Sequence, residues 1–283
     1  MTPLRQKMID AMQLRGFAVR THRTYLDAVS QLARYYNRSP DRLTPDEIQA
    51  YFLYLAKDKQ LSGASCRVYL NAIRFLYLHV LDQASFDVPF QIPKKAQRIP
   101  ELLTVAEVTK LIAACTNRKH RAVLTTCYGC GLRVSEVIAI QLRHIDGERR
   151  LLRVEQGKGG KDRQIEMSQG LLRELRDYCG VFRPYWWLFS GREPTVPLGI
   201  DTAQRAFNLA KKSAGIDKIG GIHSLRHAYA THQLSAGMDI RCLQLQLGHQ
   251  DIRTTMRYLH WVPNAQGTTA GADLVATLGH SHD

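Results

Sequence analysis

The chain has 283 residues, of which 45% are hydrophobic and 23% are charged, as in ordinary globular proteins. This length can bury two hydrophobic cores rather than one. No apolar run reaches the roughly 18 residues needed to span a membrane, and the first ten residues lack the apolar centre of a signal peptide. We therefore expect a cytoplasmic protein. The 39 basic residues outnumber the 25 acidic ones and give a net charge of +14, which favours a polyanionic partner such as nucleic acid.

The six cysteines indicate reduced thiols rather than a zinc site or a disulfide framework. Cys127 and Cys130 form the only Cys-x-x-Cys pair, and a four-ligand zinc site needs a second pair. Their neighbours form an apolar helical pattern, so we predict buried free thiols. Reduced cysteines fit a cytoplasmic protein.

The first third of the chain has a helical pattern. Thr44-Pro45-Asp46-Glu47 is a start signal with a hydroxyl cap, proline at the first helical position and an acid three residues after the cap. Residues 1–84 are therefore predicted to form a compact helical bundle. Its helical segments cover 4–14, 21–36, 48–55 and 62–81.

Residues 85–100 interrupt the helical pattern with three prolines and the basic stretch 94–98. Proline disfavours helix and stiffens a segment, so we predict an interdomain linker that also touches phosphates. Residues 1–88 carry 12 basic and 8 acidic side chains, a net charge of +4, and the rest of the chain carries +10. A clamp that grips DNA from two sides would have this distribution of charge, and so would two unrelated basic domains.

Residues 101–265 are predicted to form a second, mainly α domain with a small antiparallel β-sheet. Thr104-Val105-Ala106-Glu107 is a capping box that starts a helix. Residues 151–155 and 163–167 alternate as strands and are joined by Gly157-Lys158-Gly159-Gly160-Lys161, a glycine-rich hairpin tip with two lysines. Helical patterns follow as far as Leu259, and residues 266–283 form a polar tail.

Five short motifs carry polar residues that a helical core would not select. None is specific alone, because a single arginine, lysine or tyrosine is usually a solvated or packing residue. In chain order they are Gly131-Leu132-Arg133-Val134-Ser135-Glu136, Gly157-Lys158-Gly159, His223-Ser224-Leu225-Arg226-His227, Leu247-Gly248-His249 and Tyr258.

Together these motifs resemble those of the tyrosine recombinases of the phage integrase family. The resemblance extends over nearly the whole chain, to about Trp261, and the layout is similar to that of Xer recombinases and integron integrases. The chain lacks the extra helix that integron integrases carry before His223. The resemblance implies a SAM-like core-binding domain at the N-terminus and a recombinase catalytic domain at 101–265.

The resemblance also assigns roles around one phosphodiester. Arg133 and Arg226 would clamp the negative charge of the pentacoordinate phosphate, because guanidinium groups donate paired hydrogen bonds and remain charged. His249 would be a further donor. Tyr258 would be the nucleophile and form a covalent phosphotyrosine, and Glu136 would hold a histidine or arginine of the site in place.

Two assignments concern proton transfer. Lys158 suits the general acid that protonates the departing 5′ oxygen; Lys161, three residues later, is the alternative. His223 is the candidate base or orienting group for Tyr258. His223 and His227 also have the spacing of a zinc-binding helix, but Ser224 stands where a zinc hydrolase carries Glu. We therefore expect no metal, and no cofactor, because the phosphotyrosine conserves the energy of the broken bond.

The resemblance implies the partners. The two domains would form a C-shaped clamp around double-stranded DNA, and four protomers would exchange strands on two DNA sites in integration or excision of a mobile element. The free protein would be a monomer or a weak oligomer. It would bind neither a membrane nor a small-molecule substrate. In such proteins a C-terminal segment often docks onto a neighbouring protomer; a disordered tail is the alternative here.

Three other functions remain open at this point. A topoisomerase IB-like enzyme shares the nucleophilic chemistry but relaxes DNA without pairing sites. A DNA-binding protein of the same fold would not cut at all, although every catalytic position here holds a usable residue. A metal-dependent nuclease would need a cation that the motifs do not predict.

Overall fold

A computed structural model of the chain describes residues 2–86, 88–89, 101–155 and 162–261. The chain divides into two compact units, Met1–Arg98 and Ile99–Asp283. The predictions for segment 90–100 of the linker, for the hairpin tip with Lys158 and Lys161, and for the C-terminal tail lie outside the described residues. None of the helices within these ranges is long and apolar enough to cross a membrane.

The first unit contains the helices that the sequence predicts. The helix that starts at Pro45 begins with the predicted capping box: the Thr44 amide donates to Glu47 Oε2 (2.7 Å), and the Glu47 amide donates to Thr44 Oγ1 (3.3 Å). These bonds satisfy two amide donors that a helix start leaves unpaired. The helices are α1 (Pro3–Leu14), α2 (Val19–Tyr36), α3 (Pro45–Lys57) and α4 (Gly63–His79), with a 3₁₀ turn at Pro40–Arg42.

All of these helices contribute apolar side chains to one core in the first unit. Burying a large aliphatic or aromatic side chain stabilises a fold by about 1.5–3 kcal/mol, so this core accounts for much of the stability of the bundle. The Tyr77 hydroxyl donates to the Pro40 carbonyl and ties α4 to the 3₁₀ turn. The side chains that are at most 1% exposed include Met8, Met12, Leu32, Phe52, Leu55, Ile73 and Leu76.

The second unit is mainly helical, with one small sheet. Its helices are α5 (Val105–Ala114), α6 (Arg118–Gly129), α7 (Val134–Ile138), α8 (Gln169–Phe182), α9 (Ile200–Ser213), α10 (His223–Ser235), α11 (Ile240–Leu247) and α12 (Ile252–Met256). The strands are β1 (Ile145–Asp146), β2 (Leu151–Val154) and β3 (Arg163–Glu166), antiparallel in the order β1-β2-β3. The predicted pairing of the last two is confirmed, with Leu152 opposite Ile165. The short β1 was not anticipated.

Helix α10 contributes to two clusters of buried side chains in the second unit. Leu225 and Ala228 belong to the main core, which also holds the free thiols of Cys127 and Cys130, 1% and 0% exposed. The prediction of buried reduced cysteines is thereby confirmed. Other residues of α10 pack into a smaller cluster with Leu243, Leu247 and Tyr258. Because α10 packs against both clusters, its position in the second unit is fixed. Its first two turns carry the His-x-Leu-Arg-His motif.

We propose domain boundaries at 1–84, 85–100 and 101–265, which leads to a first prediction. Because the first unit has a core of its own, a fragment of residues 1–89 should fold alone and melt cooperatively when followed by circular dichroism. Leu32→Ala in the fragment should lower its free energy of unfolding by about 2–5 kcal/mol. A fragment that loses its helical signal gradually, without a transition, would contradict these boundaries.

Candidate active site

Two motif glycines allow the close backbone approach that builds the site. Gly131 has φ +60°, and a Cβ there would lie 2.3 Å from the Tyr229 ring. Gly248 ends α11 with φ +64°, and a Cβ there would lie 2.9 Å from the Arg163 guanidinium. Side chains other than glycine are strained at such φ values and have no room here. The glycines of the first and fourth motifs are therefore structural requirements.

Arg226 connects three of the motifs. Its side chain is only 1% exposed. Nη1 donates to the Gly131 carbonyl at 2.8 Å, and Nη2 donates to the Leu247 carbonyl at 2.6 Å and lies 3.0 Å from His249 Nε2. Burial and the nearby Arg133 guanidinium lower the pKa of Arg226 to about 10. The group remains cationic at neutral pH.

Glu136 is the counter-ion of this cluster. Its carboxylate accepts from Arg133 Nη1 (2.7 Å) and, through both oxygens, from the Arg163 guanidinium (3.1 and 2.8 Å). Arg226 Nη1 lies 3.8 Å from Oε2. Burial alone would raise the pKa of the Glu136 carboxyl, but the hydrogen bonds and charges of Arg163 and Arg133 outweigh it and hold that pKa at about 2.

Arg163 is a site residue that the sequence analysis missed. Besides its paired bonds to Glu136, its Nε donates to the Gln246 carbonyl at 2.8 Å. It therefore ties the first residue of β3 to α7 and to the end of α11. One signal was available: Arg163 and the fully buried Ile165 are two residues apart, so they point to the same, inward face of the strand.

His249 is fixed in one tautomer by its two partners. Arginine has no acceptor atom, so His249 Nε2 accepts from Arg226 and the ring proton lies on Nδ1. Nδ1 then donates to Thr255 Oγ1 at 2.8 Å, and Thr255 is fully buried on α12. Burial and the cations Arg226, Arg133 and Arg163 lower the pKa of His249 to about 4. The ring is neutral and holds the Arg226 guanidinium in position.

Tyr258 lies beside this cluster, just after α12. It is 3% exposed, and its hydroxyl is 2.9 Å from His227 Nδ1. Its ring is parallel to that of His249 at 6.4 Å between centroids, and Trp261 stands perpendicular to it at 5.2 Å. Burial raises the pKa of the phenol, whereas the Arg226 and Arg133 guanidinia act in the opposite direction. The phenol is therefore protonated in the free protein.

His223 contacts the neighbouring histidine of the same helix. It is exposed at the start of α10, and its ring is perpendicular to that of His227 at 4.6 Å. The contact with the Tyr258 hydroxyl is made by His227, one helical turn further on. The structure thus brings Arg133, Glu136, Arg226, His249 and Tyr258 together, with His223 next to His227. Within the described ranges, no group of three His, Cys, Asp or Glu residues could hold a metal ion.

The chain matches two family descriptions along most of its length. "Phage integrase family" matches residues 101–264, and "Phage integrase, N-terminal SAM-like domain" matches residues 4–85. A putative integrase/recombinase y4qK of Sinorhizobium fredii is 41% identical over 267 residues, covering 93% of this chain and 86% of that protein. Tyrosine recombinase XerC of Pelobacter propionicus is 32% identical over 241 residues, covering 78% and 77%.

Solved structures show the same fold. The crystal structure of XerA recombinase is similar over 99% of both chains, with 26% identity and a TM-score of 0.55. A lambda integrase structure covers 89% of this chain and 95% of its own, with 19% identity and a TM-score of 0.74. Fold and motifs together define an enzyme that breaks and rejoins DNA strands. The chain belongs to the phage integrase family, the tyrosine recombinases of site-specific recombination.

Our second prediction concerns the shared carboxylate. Glu136→Gln should lower the free energy of unfolding by about 3–5 kcal/mol at neutral pH, because it leaves buried guanidinium groups without their counter-ion. The pKa of Glu136 is depressed in the folded state, from about 4.3 in an unfolded chain. Its charge therefore stabilises the fold fully above that value, and the contribution is lost as pH falls toward about 2.

Denaturant unfolding of wild type and of Glu136→Gln measures the difference in their free energies of unfolding. The series runs from neutral pH to the lowest pH at which both proteins stay in solution. The gap between wild type and Glu136→Gln should narrow as the pH falls below about 4. Glu166→Gln is the matched control, because Glu166 pairs with Arg150 on the surface and is 62% exposed; it should leave the free energy of unfolding nearly unchanged. An equal effect of the two substitutions, or a gap that is independent of pH, contradicts the prediction.

Proposed function

We propose that the protein recombines specific sites in double-stranded DNA through a covalent 3′-phosphotyrosine on Tyr258. The observation that carries this proposal is the buried phenol, on which the Arg226 and Arg133 guanidinium groups act to lower the pKa, while the Glu136 carboxylate pairs with Arg133 and lies 3.8 Å from Arg226. Cations concentrated around a nucleophilic oxygen suit an anionic phosphodiester. The net charge of +14 favours the same partner.

In this proposal Arg133 and Arg226 donate hydrogen bonds to the phosphate as charge builds up on its oxygens. Arg133 is 23% exposed and so is open to substrate. His249 joins them as a donor once its Nε2 carries a proton, which a neighbouring phosphate favours because an anion raises the pKa of an imidazole. No metal or nucleotide cofactor takes part, since the arginines supply the positive charge and the phosphotyrosine retains the bond energy.

Two further roles complete the proposed chemistry. Lys158 protonates the departing 5′ oxygen, with Lys161 as the alternative, and His223 orients the reacting groups from the start of α10. The active assembly is a tetramer on two DNA sites, formed from a free monomer or weak oligomer. Similar structures support a DNA-bound assembly: one is a lambda integrase dimer bound to a COC′ core site, and another is XerH bound to a palindromic difH substrate after cleavage.

The third prediction tests the nucleophile. Incubated with total DNA of the organism that carries the gene and then denatured in detergent, the wild type should retain covalently attached DNA. Tyr258→Phe should lose the adduct while binding DNA equally well, because it removes one oxygen and no charge. Tyr185→Phe is the matched control, since this tyrosine is 85% exposed and far from the motifs in sequence. Sequencing the trapped DNA then identifies the site.

Several outcomes would contradict this function. Covalent DNA on Tyr258→Phe would exclude this nucleophile, and binding without cleavage would favour a DNA-binding protein of the same fold. Relaxation of any supercoiled plasmid, without exchange between two recovered sites, would favour a topoisomerase-like enzyme. Loss of cleavage with a chelator would favour a metal-dependent nuclease.

The fourth prediction separates the two lysines. On the recovered site, Lys158→Ala should slow cleavage by about 10²–10⁴-fold, the usual contribution of a general acid, and Lys161→Ala should slow it much less. Replacing the 5′ bridging oxygen with sulfur should restore cleavage by Lys158→Ala, because a thiolate departs without a proton. If the sulfur substrate rescues Lys161→Ala instead, the acid is Lys161. If it rescues neither variant, that result contradicts the assignment of a lysine as the acid.

A further inference from the structure

The hydrogen bond between His227 and Tyr258 points to a catalytic group that the motif pattern does not assign. We propose that His227 takes the phenol proton of Tyr258 during cleavage and returns it during rejoining. This inference rests on the proposed function, because it names the proton acceptor for the same nucleophile. The resemblance had given this task to His223.

The geometry favours His227. Its Nδ1 lies 2.9 Å from the Tyr258 hydroxyl, within the range of direct proton transfer. Trp261 stands perpendicular to the His227 ring at 5.9 Å and to the Tyr258 ring at 5.2 Å. Because Tyr258 is 3% exposed, bulk water has little access to the phenol, and the imidazole is the base within reach.

His223 lacks the corresponding contact. In the described part of the chain no hydrogen bond joins it to Tyr258, and its ring instead meets the His227 ring edge-on at 4.6 Å. The two histidines lie four residues apart and so occupy one face of α10. Of the two, His227 is the one that makes a hydrogen bond with the Tyr258 hydroxyl. His223 is therefore placed to act on His227 or on the DNA rather than on the phenol itself.

Burial and the charges around His227 keep its ring neutral in the free protein, with a nitrogen free to accept a proton. His223 and Arg226 face it from its own helix, and Tyr258 faces it from the segment after α12. Burial, together with His223 and Arg226, lowers the pKa of His227 to about 4. The neutral ring can place its own proton on Nε2 and leave Nδ1 as an acceptor. A bound phosphate reverses part of this shift, because an anion favours the imidazolium.

The proton balance closes in both directions. In cleavage the Tyr258 Oη–P bond forms, the P–O5′ bond breaks, the phenol proton moves to His227 Nδ1, and the general acid protonates the 5′ oxygen. In rejoining the 5′ hydroxyl attacks phosphorus and gives its proton back to that acid, while Tyr258 leaves and recovers its proton from Nδ1. No oxidant, metal or nucleotide is required.

The fifth prediction is the test of this role. In single-turnover cleavage of a nicked duplex carrying the recovered site, His227→Asn should form the adduct about 10²–10⁴-fold more slowly than wild type. Asparagine can accept the phenol hydrogen bond but cannot take the proton. The matched control is His232→Asn: His232 lies on the same helix and makes a similar 2.9 Å contact with the Tyr128 hydroxyl. Its rate should stay within about twofold of wild type.

The pH profile separates proton transfer from a merely structural role. Wild-type cleavage should rise with pH as His227 loses its proton and becomes able to accept, and should then level off above the pKa of His227. His227→Asn should lose this plateau, and its rate should keep rising with pH, because the phenol must then ionise to solvent. His223→Asn should keep the plateau whatever its absolute rate.

The possible results are distinct. If the wild type forms no adduct on Tyr258, the proposed function fails and the role of His227 fails with it. If the wild type forms the adduct and His227→Asn matches its rate and pH profile, only the role of His227 is overturned. Should His227→Asn melt well below wild type, His227→Gln replaces it. Loss of the plateau by His223→Asn, with the plateau kept by the His227 variant, would assign the proton to His223.

Discussion

The site depends on one buried carboxylate. Arg133, Arg163 and Arg226 would repel one another and lose hydration if they were packed together alone, and Glu136 offsets both effects by accepting from two of them and lying 3.8 Å from the third. Its own charge is retained because these cations hold its pKa at about 2. The positive centre that we propose binds the phosphodiester is therefore already assembled in the free protein.

Three of the motifs that identify the family pack together. Arg226, from the third motif, is held by the carbonyl of Gly131 in the first and the carbonyl of Leu247 in the fourth. Gly131 and Gly248 are glycines because their backbone has positive φ and their neighbours lie too close for a side chain. A substitution in one motif thus changes the geometry of the others, and we expect their effects on activity to be non-additive.

The phenol that we propose as the nucleophile has a closed environment in the free protein. Tyr258 is buried, protonated and bound to His227, while His249 and Trp261 enclose its ring. The opposing influence of Arg226 and Arg133 on its pKa is already present. In the proposed function, a bound phosphate supplies the phosphorus atom that the phenol attacks, and its negative charge favours protonation of a neighbouring histidine. In this proposal, substrate binding and deprotonation of the phenol are thereby coupled.

The sequence by itself determined the elements whose signals are local. The capping boxes at Thr44 and Thr104 act within one helical turn, the alternation in 151–155 and 163–167 predicts the strand pair, and the motif order predicts the family. Only the tertiary structure decided that Arg163 shares the carboxylate of Glu136 and that His227, rather than His223, meets Tyr258. These contacts join residues 27 and 31 positions apart. They depend on how β3 packs on α7 and how the segment after α12 packs on α10, and no periodicity along the chain encodes such distances.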